Sequence, residues 1–125
     1  MFTKNDLVFG YTRSQAIEDG VLVDVTTTAR EAGIKYPVAV TRAVWCRYVE
    51  VPSGVEGQDE AGRLWDVLWM LRDAIGRAKP GTRIILYQVS VRNDNQRARA
   101  VTLKAVCGPA DDGSPCITVL LPEED

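Results

Sequence analysis

The chain contains no histidine. That absence removes the commonest general base and rules out a Ser-His or Cys-His nucleophile pair, so any catalysis would fall to Asp, Glu, Tyr, Lys or Cys. It also leaves a metal site only carboxylate and thiolate ligands. The three cysteines, Cys46, Cys107 and Cys116, show no C-x-x-C spacing, so zinc is not expected. Positive charge is not in excess: Lys and Arg number 15 against 17 Asp and Glu, a formal net charge of −2, where a dedicated nucleic-acid binder is normally basic. No apolar run approaches the roughly 18 residues of a membrane span. The N-terminal Met1-Phe-Thr-Lys-Asn-Asp6 has no signal-peptide apolar region, and a cytoplasmic location is the expectation. A glycine-rich phosphate loop is missing, which withholds support from nucleotide binding. No cofactor is expected.

The sequence is well supplied with core material. At 125 residues, 46% hydrophobic and 26% charged, it has the composition of one globular domain with one core. Thr12 and Gln15 have capping-box spacing, predicting a short helix over Arg13–Asp19 closed by Gly20. Val21-Leu-Val-Asp-Val25 reads as a brief strand. Thr28 and Glu31 repeat the capping-box spacing before Gly33. Pro37 suits a first helical turn, and Val40, Val44 and Tyr48 recur at helical period, so a helix is predicted near 37–50. Val51 to Gly57 is a loop. The longest helix runs from Asp59 to Lys79 with an apolar stripe of Leu64, Leu68, Leu71, Ile75 and Ala78, ended by Pro80-Gly81.

After that helix the period changes to two. Ile85, Tyr87, Val89 and Val91 alternate with Leu86, Gln88, Ser90 and Arg92; beyond the turn at Asn93–Gln96, Val101, Leu103, Ala105 and Cys107 do the same, and a last strand covers Cys116–Leu121. Cys107 and Cys116 flank a turn and are read as reduced thiols. The expected fold is a single α+β domain over 1–125. Its N-terminal helices pack on a C-terminal three-stranded antiparallel meander at 83–121, with Val21–Val25 as an extra short strand. Residues 122–125 read as a solvated acidic tail.

Several segments together carry a resemblance: Tyr11-Thr-Arg13, Asp19-Gly-Val-Leu-Val-Asp-Val25, Ala29-Arg-Glu-Ala-Gly33, Pro37-Val-Ala-Val-Thr-Arg-Ala-Val-Trp45 and Asp59-Glu-Ala-Gly-Arg-Leu-Trp-Asp-Val-Leu-Trp-Met70. The chain resembles a family of small bacterial proteins of unknown function, frequent on plasmids, phages and integrative elements. The resemblance spans nearly the whole chain and is strongest over residues 11–70. It implies a setting in mobile DNA, but it implies no activity and supplies no site residues.

Four sets of residues are candidates for function. Trp65 and Trp69 stand one turn apart and stack along one helical face; they either anchor the core, with Trp45 packed against them, or form an interface. Core is the expectation, with Trp69 buried and Trp65 nearer the surface. Tyr11, Thr12 and Arg13 have the makings of an anion site at a helix start, or of an ordinary cap. Asp24 is unusual within a strand; it caps neighbouring backbone or pairs with Arg30, Arg42 or Arg63. Arg63 and Asp66 have i, i+3 spacing for an ion pair. Arg92, Arg97 and Arg99, with Lys104 beyond, straddle one turn, where a basic hairpin can track phosphates or merely be solvated. The leading expectation is a non-enzymatic interaction protein of a mobile element whose partner is a host or element protein. The alternatives are a small enzyme or ligand-binding domain near Tyr11, Arg13 and Asp24, and a nucleic-acid-associated factor using the 92–104 hairpin.

Overall fold

The computed structural model describes residues 12–124. Helix α1 (Arg13–Glu18) begins at Thr12, whose hydroxyl accepts from Gln15 N while the Gln15 side chain accepts from Thr12 N. This is the capping box read from the sequence. Strand β1 (Leu22–Asp24) follows, then helix α2 (Thr26–Glu31), strand β2 (Val38–Thr41) and a short helix α3 (Arg42–Val44) that widens into a π-helix over Trp45–Val49. Helix α4 (Glu60–Arg77) is the longest, capped by Asp59 accepting from Gly62 N at 2.6 Å. Strands β3 (Ile84–Val91), β4 (Arg99–Pro109) and β5 (Pro115–Leu120) complete the described chain.

All five strands form one mixed sheet in the order β1-β2-β5-β4-β3. The expected meander β3-β4-β5 is present and antiparallel throughout. Two strands extend it: β2 lies parallel to β5, and β1 pairs antiparallel with β2. The α+β class therefore holds, while the sheet is larger than expected and contains a parallel pair.

Strand β2 overturns the helix predicted near 37–50. Val38, Ala39, Val40 and Thr41 are all buried, because β2 sits inside the sheet and is covered on both faces. A strand buried on both faces loses the alternation that marks a half-exposed one. Helix begins only after Thr41, whose hydroxyl accepts from Val44 N. The second capping box is also absent. Helix α2 starts two residues before Thr28, and Asp24 caps its first turn by accepting from Thr26 N and Thr26 Oγ1.

The main core lies on one face, between α4 and the sheet. Leu64, Val67, Leu68 and Leu71 of the helix meet Tyr87, Val89, Leu103, Ala105, Ile117 and Val119. Tyr87 Oη donates to Val67 O at 3.1 Å, so the phenol is satisfied, and burial pushes its pKa well above the ordinary value. The opposite face is covered at one end by α1, where Ala16 packs on Leu22 and Ala39. Cys107 stands opposite Ile117, and Cys116 opposite Gly108. That register puts the two thiols on opposite faces, and all three cysteines are free.

The acidic end is tied down rather than merely solvated. Glu124 Oε1 accepts from Thr41 Oγ1 at 2.7 Å and from Leu121 N at 2.8 Å, and Lys104 Nζ donates to Glu124 O. Glu123 pairs with Arg47 at 3.4 Å.

Candidate functional site

Helix α4 turns its core stripe inward and its indoles outward. Trp65 is 36% exposed and Trp69 44%, which reverses both the expectation that the pair is core and the assignment of Trp69 as the buried member. The reason is angular. At about 100° per residue, Leu64, Leu68 and Leu71 define one arc, and Trp69 projects from nearly the opposite side of the helix. The rings stack on each other, with centroids 5.8 Å apart and planes inclined by 18°. Arg72 lies one turn on, its guanidinium carbon 5.0 Å from the Trp69 ring centre. The Arg72 side chain also runs close against Gly33; a Cβ there would lie 2.8 Å from Arg72 Nε. With φ at +96° as well, Gly33 is the residue this approach demands. Trp65, Trp69 and Arg72 thus form a stacked, solvent-facing ridge. Trp45 packs instead against the main core.

Beneath the N-terminal end of that ridge lies a polar clamp. Arg63, 5% exposed, points inward and makes five hydrogen bonds: Nε to Val49 O, Nη1 to Gln58 Oε1 and Arg92 O, Nη2 to Arg47 O and Asn93 Oδ1. The five N–H donors of a guanidinium match that set of acceptors. Arg63 is therefore bound to neutral oxygens and does not pair with Asp66. Burial and the nearby Arg92 charge lower its pKa from the ordinary arginine value, and burial raises that of Asp66. Around Arg63 the 51–58 loop and the 92–96 turn are laced together: Glu56 N donates to Asn95 Oδ1, Asn95 Nδ2 to Gly54 O, and Gln58 Nε2 to Arg92 O. A groove bounded by Gly57, Asp59, Gly62, Trp65 and Asp66 opens beside the clamp.

The Tyr11–Arg13–Asp24 set is separated in role. Tyr11 lies outside the described residues. The Arg13 guanidinium donates to Thr118 Oγ1 at 2.6 Å and Ile117 O at 2.8 Å, while the backbone N–H groups of Arg13 and Ser14 both donate to the Asp111 carboxylate. The anion at the start of α1 is thus the chain's own Asp111. Asp24 serves as the α2 cap described above. Neither residue lines either of the two grooves beside α4.

The hairpin arginines divide likewise. Arg92 donates to Asp94 O at 2.7 Å and to Glu56 O, holding the clamp loop. Lys104 is held by the C-terminal carbonyls. Arg97 and Arg99 are exposed.

A family of unknown function (DUF6573) matches residues 1–125. The chain belongs to this family. No curated protein and no solved structure matches the chain. Membership assigns no activity, and among the described residues no helix is long and apolar enough to cross a membrane.

For this member of the family, the residue that sequence reasoning missed is Arg63. Its signal was present, since position 63 falls on the buried arc one turn before Val67 and beside Leu64. An arginine on a core arc points to a cluster of backbone acceptors that only the tertiary structure reveals.

Proposed function

We propose that the chain is a non-enzymatic interaction protein of a bacterial mobile element, and that it holds a host or element protein through the Trp65–Trp69–Arg72 ridge. The observation that carries this reading is the pair of stacked, solvent-facing indoles. Exposed tryptophan and arginine are the residue types that dominate binding energy at protein interfaces. A stacked pair fixed on a capped helix has little side-chain freedom left to lose on association. The clamp around Arg63 holds the neighbouring loop in place, so the surface is formed before a partner arrives.

The experiment is affinity capture from lysate of the native host, comparing the wild-type chain with Trp65→Ala/Trp69→Ala. The wild type is expected to retain a specific protein and the double variant to lose it, with circular dichroism showing both chains folded. Recovery of nothing above background by the wild type, or equal recovery by the folded double variant, rejects the proposal.

A further inference from the structure

Among the described residues strand β3 ends the sheet, and its outer edge is built in a way that edge strands normally avoid. Ile84 to Val91 pair with β4 without interruption over eight residues. The segment Ile-Ile-Leu-Tyr-Gln-Val-Ser-Val contains no charge, proline or glycine. Lys, Pro, bulges or short length are the usual devices that keep an edge from pairing, and β3 has none of them. Ile84 is 60% exposed and Leu86 63%. Alongside runs a groove of about 410 Å³, flanked by Met70, Asp73 and Arg77 of α4.

The phase of the edge follows from one bond. Cys107 N donates to Arg83 O at 2.7 Å, so odd-numbered residues of β3 turn their backbone groups to β4. Ile84, Leu86, Gln88 and Ser90 therefore turn theirs outward. The geometry points to a second copy of this chain as the occupant, paired antiparallel with β3 about a two-fold axis at Tyr87.

In that register Ile84 faces Ser90 of the partner subunit, and Leu86 faces Gln88 of the partner subunit. All four outward residues of each copy are used, giving about eight hydrogen bonds at two per pair. A shift of two residues leaves an outward position unpaired, and a shift of one loses the phase. Charge agrees with the same register: Arg83 faces Val91 of the partner subunit, so the arginines at the two ends of β3 are not opposed. Asp73 and Arg77, on the flank of α4 beside this edge, pair with each other at 3.2 Å, so the flank carries a neutral ion pair and sets no net charge against its own copy across a two-fold axis. The product is a continuous sheet of ten strands, twice the five in one chain, and an isologous dimer that leaves the indole ridge free.

Sedimentation of the full chain tests this with Gln88→Pro, which removes an outward N–H and no hydrogen bond to β4, and Leu86→Lys, which puts a charge on the edge. The expected result is twice the chain mass for the wild type and a halved mass for both folded variants. Trp65→Ala/Trp69→Ala should remain dimeric. Amide exchange of wild-type residues 84, 86, 88 and 90 should quicken on dilution, a readout that needs no variant. A monomeric wild type, a dimer that survives both substitutions, a dimer lost with the indoles, or edge exchange independent of concentration overturns the proposal.

Discussion

Arg63 illustrates what one buried donor does at the residue scale. Its five bonds reach Arg47, Val49, Gln58, Arg92 and Asn93, so one side chain fastens the π-helix, the 51–58 loop and the β3–β4 turn to α4. Arg63→Ala leaves these acceptors without their donor and should cost about 2–4 kcal/mol, read as a lowered urea midpoint at unchanged slope. Arg63→Lys should recover little, because an ammonium cannot reproduce the planar fork. Asp66 gives a pH signature of defined sign. Burial raises its folded pKa above the unfolded value, so the native state binds the proton more tightly and stability falls as pH rises through the raised value. Asp66→Asn should therefore be at least as stable as wild type at neutral pH. That advantage should vanish in acid, where the wild-type carboxyl is protonated; an advantage that grows in acid would contradict the assignment. The thiols are graded by position. Burial raises the pKa of Cys107 and of Cys116 while Cys46 is exposed, so a thiol alkylator should label Cys46 of the native protein first, a result peptide mass mapping would show.

At the scale of the element, α4 separates core from surface most sharply. Leu68 is fully buried, whereas Trp69 beside it projects outward. Leu68→Ala should cost about 2–5 kcal/mol. Trp69→Ala should stay within about 1.5 kcal/mol, the scale of a lost aromatic pair. Native tryptophan fluorescence should already be quenched by a neutral solute before unfolding, and a Trp69 signal protected in the monomer would overturn the outward placement. The strands β3 and β4 were legible because each has one wetter face and so keeps its period of two, while β5, buried at four of its six positions, was legible from its short apolar run after a turn. Strand β2 was not, since its place inside the sheet, covered on both faces, buries four consecutive residues and erases the alternation. The outward turn of Trp65 and Trp69 was legible in principle. The stripe Leu64, Leu68, Leu71 and Ile75 fixes the inner arc, and the indoles fall outside it. Bulk and apolarity suggested core, and angle decided otherwise. The candidate site was less legible. Arg13, Asp24 and Arg92 are the kind of residue that makes a site, but the fold occupies Arg13 and Arg92 through Thr118 and Glu56, distant in sequence, and Asp24 at the start of α2.

For the whole molecule, the order of strands in space departs from their order along the chain. Strand β5 comes last in sequence yet lies in the middle of the sheet, between β2 and β4. The β1–α2–β2 unit and the β3–β4 hairpin touch through it, and Ile117 and Val119 fill the core that both share. The hairpin has α4 to pack against, but the core shared by the two units closes only when β5 is in place. On a ribosome the core that the two units share therefore stays open until β5 has been synthesised. Throughout that interval two partly finished sheets present open edges to the cell, and the residues of β5, as they emerge, decide whether the two join each other or something else.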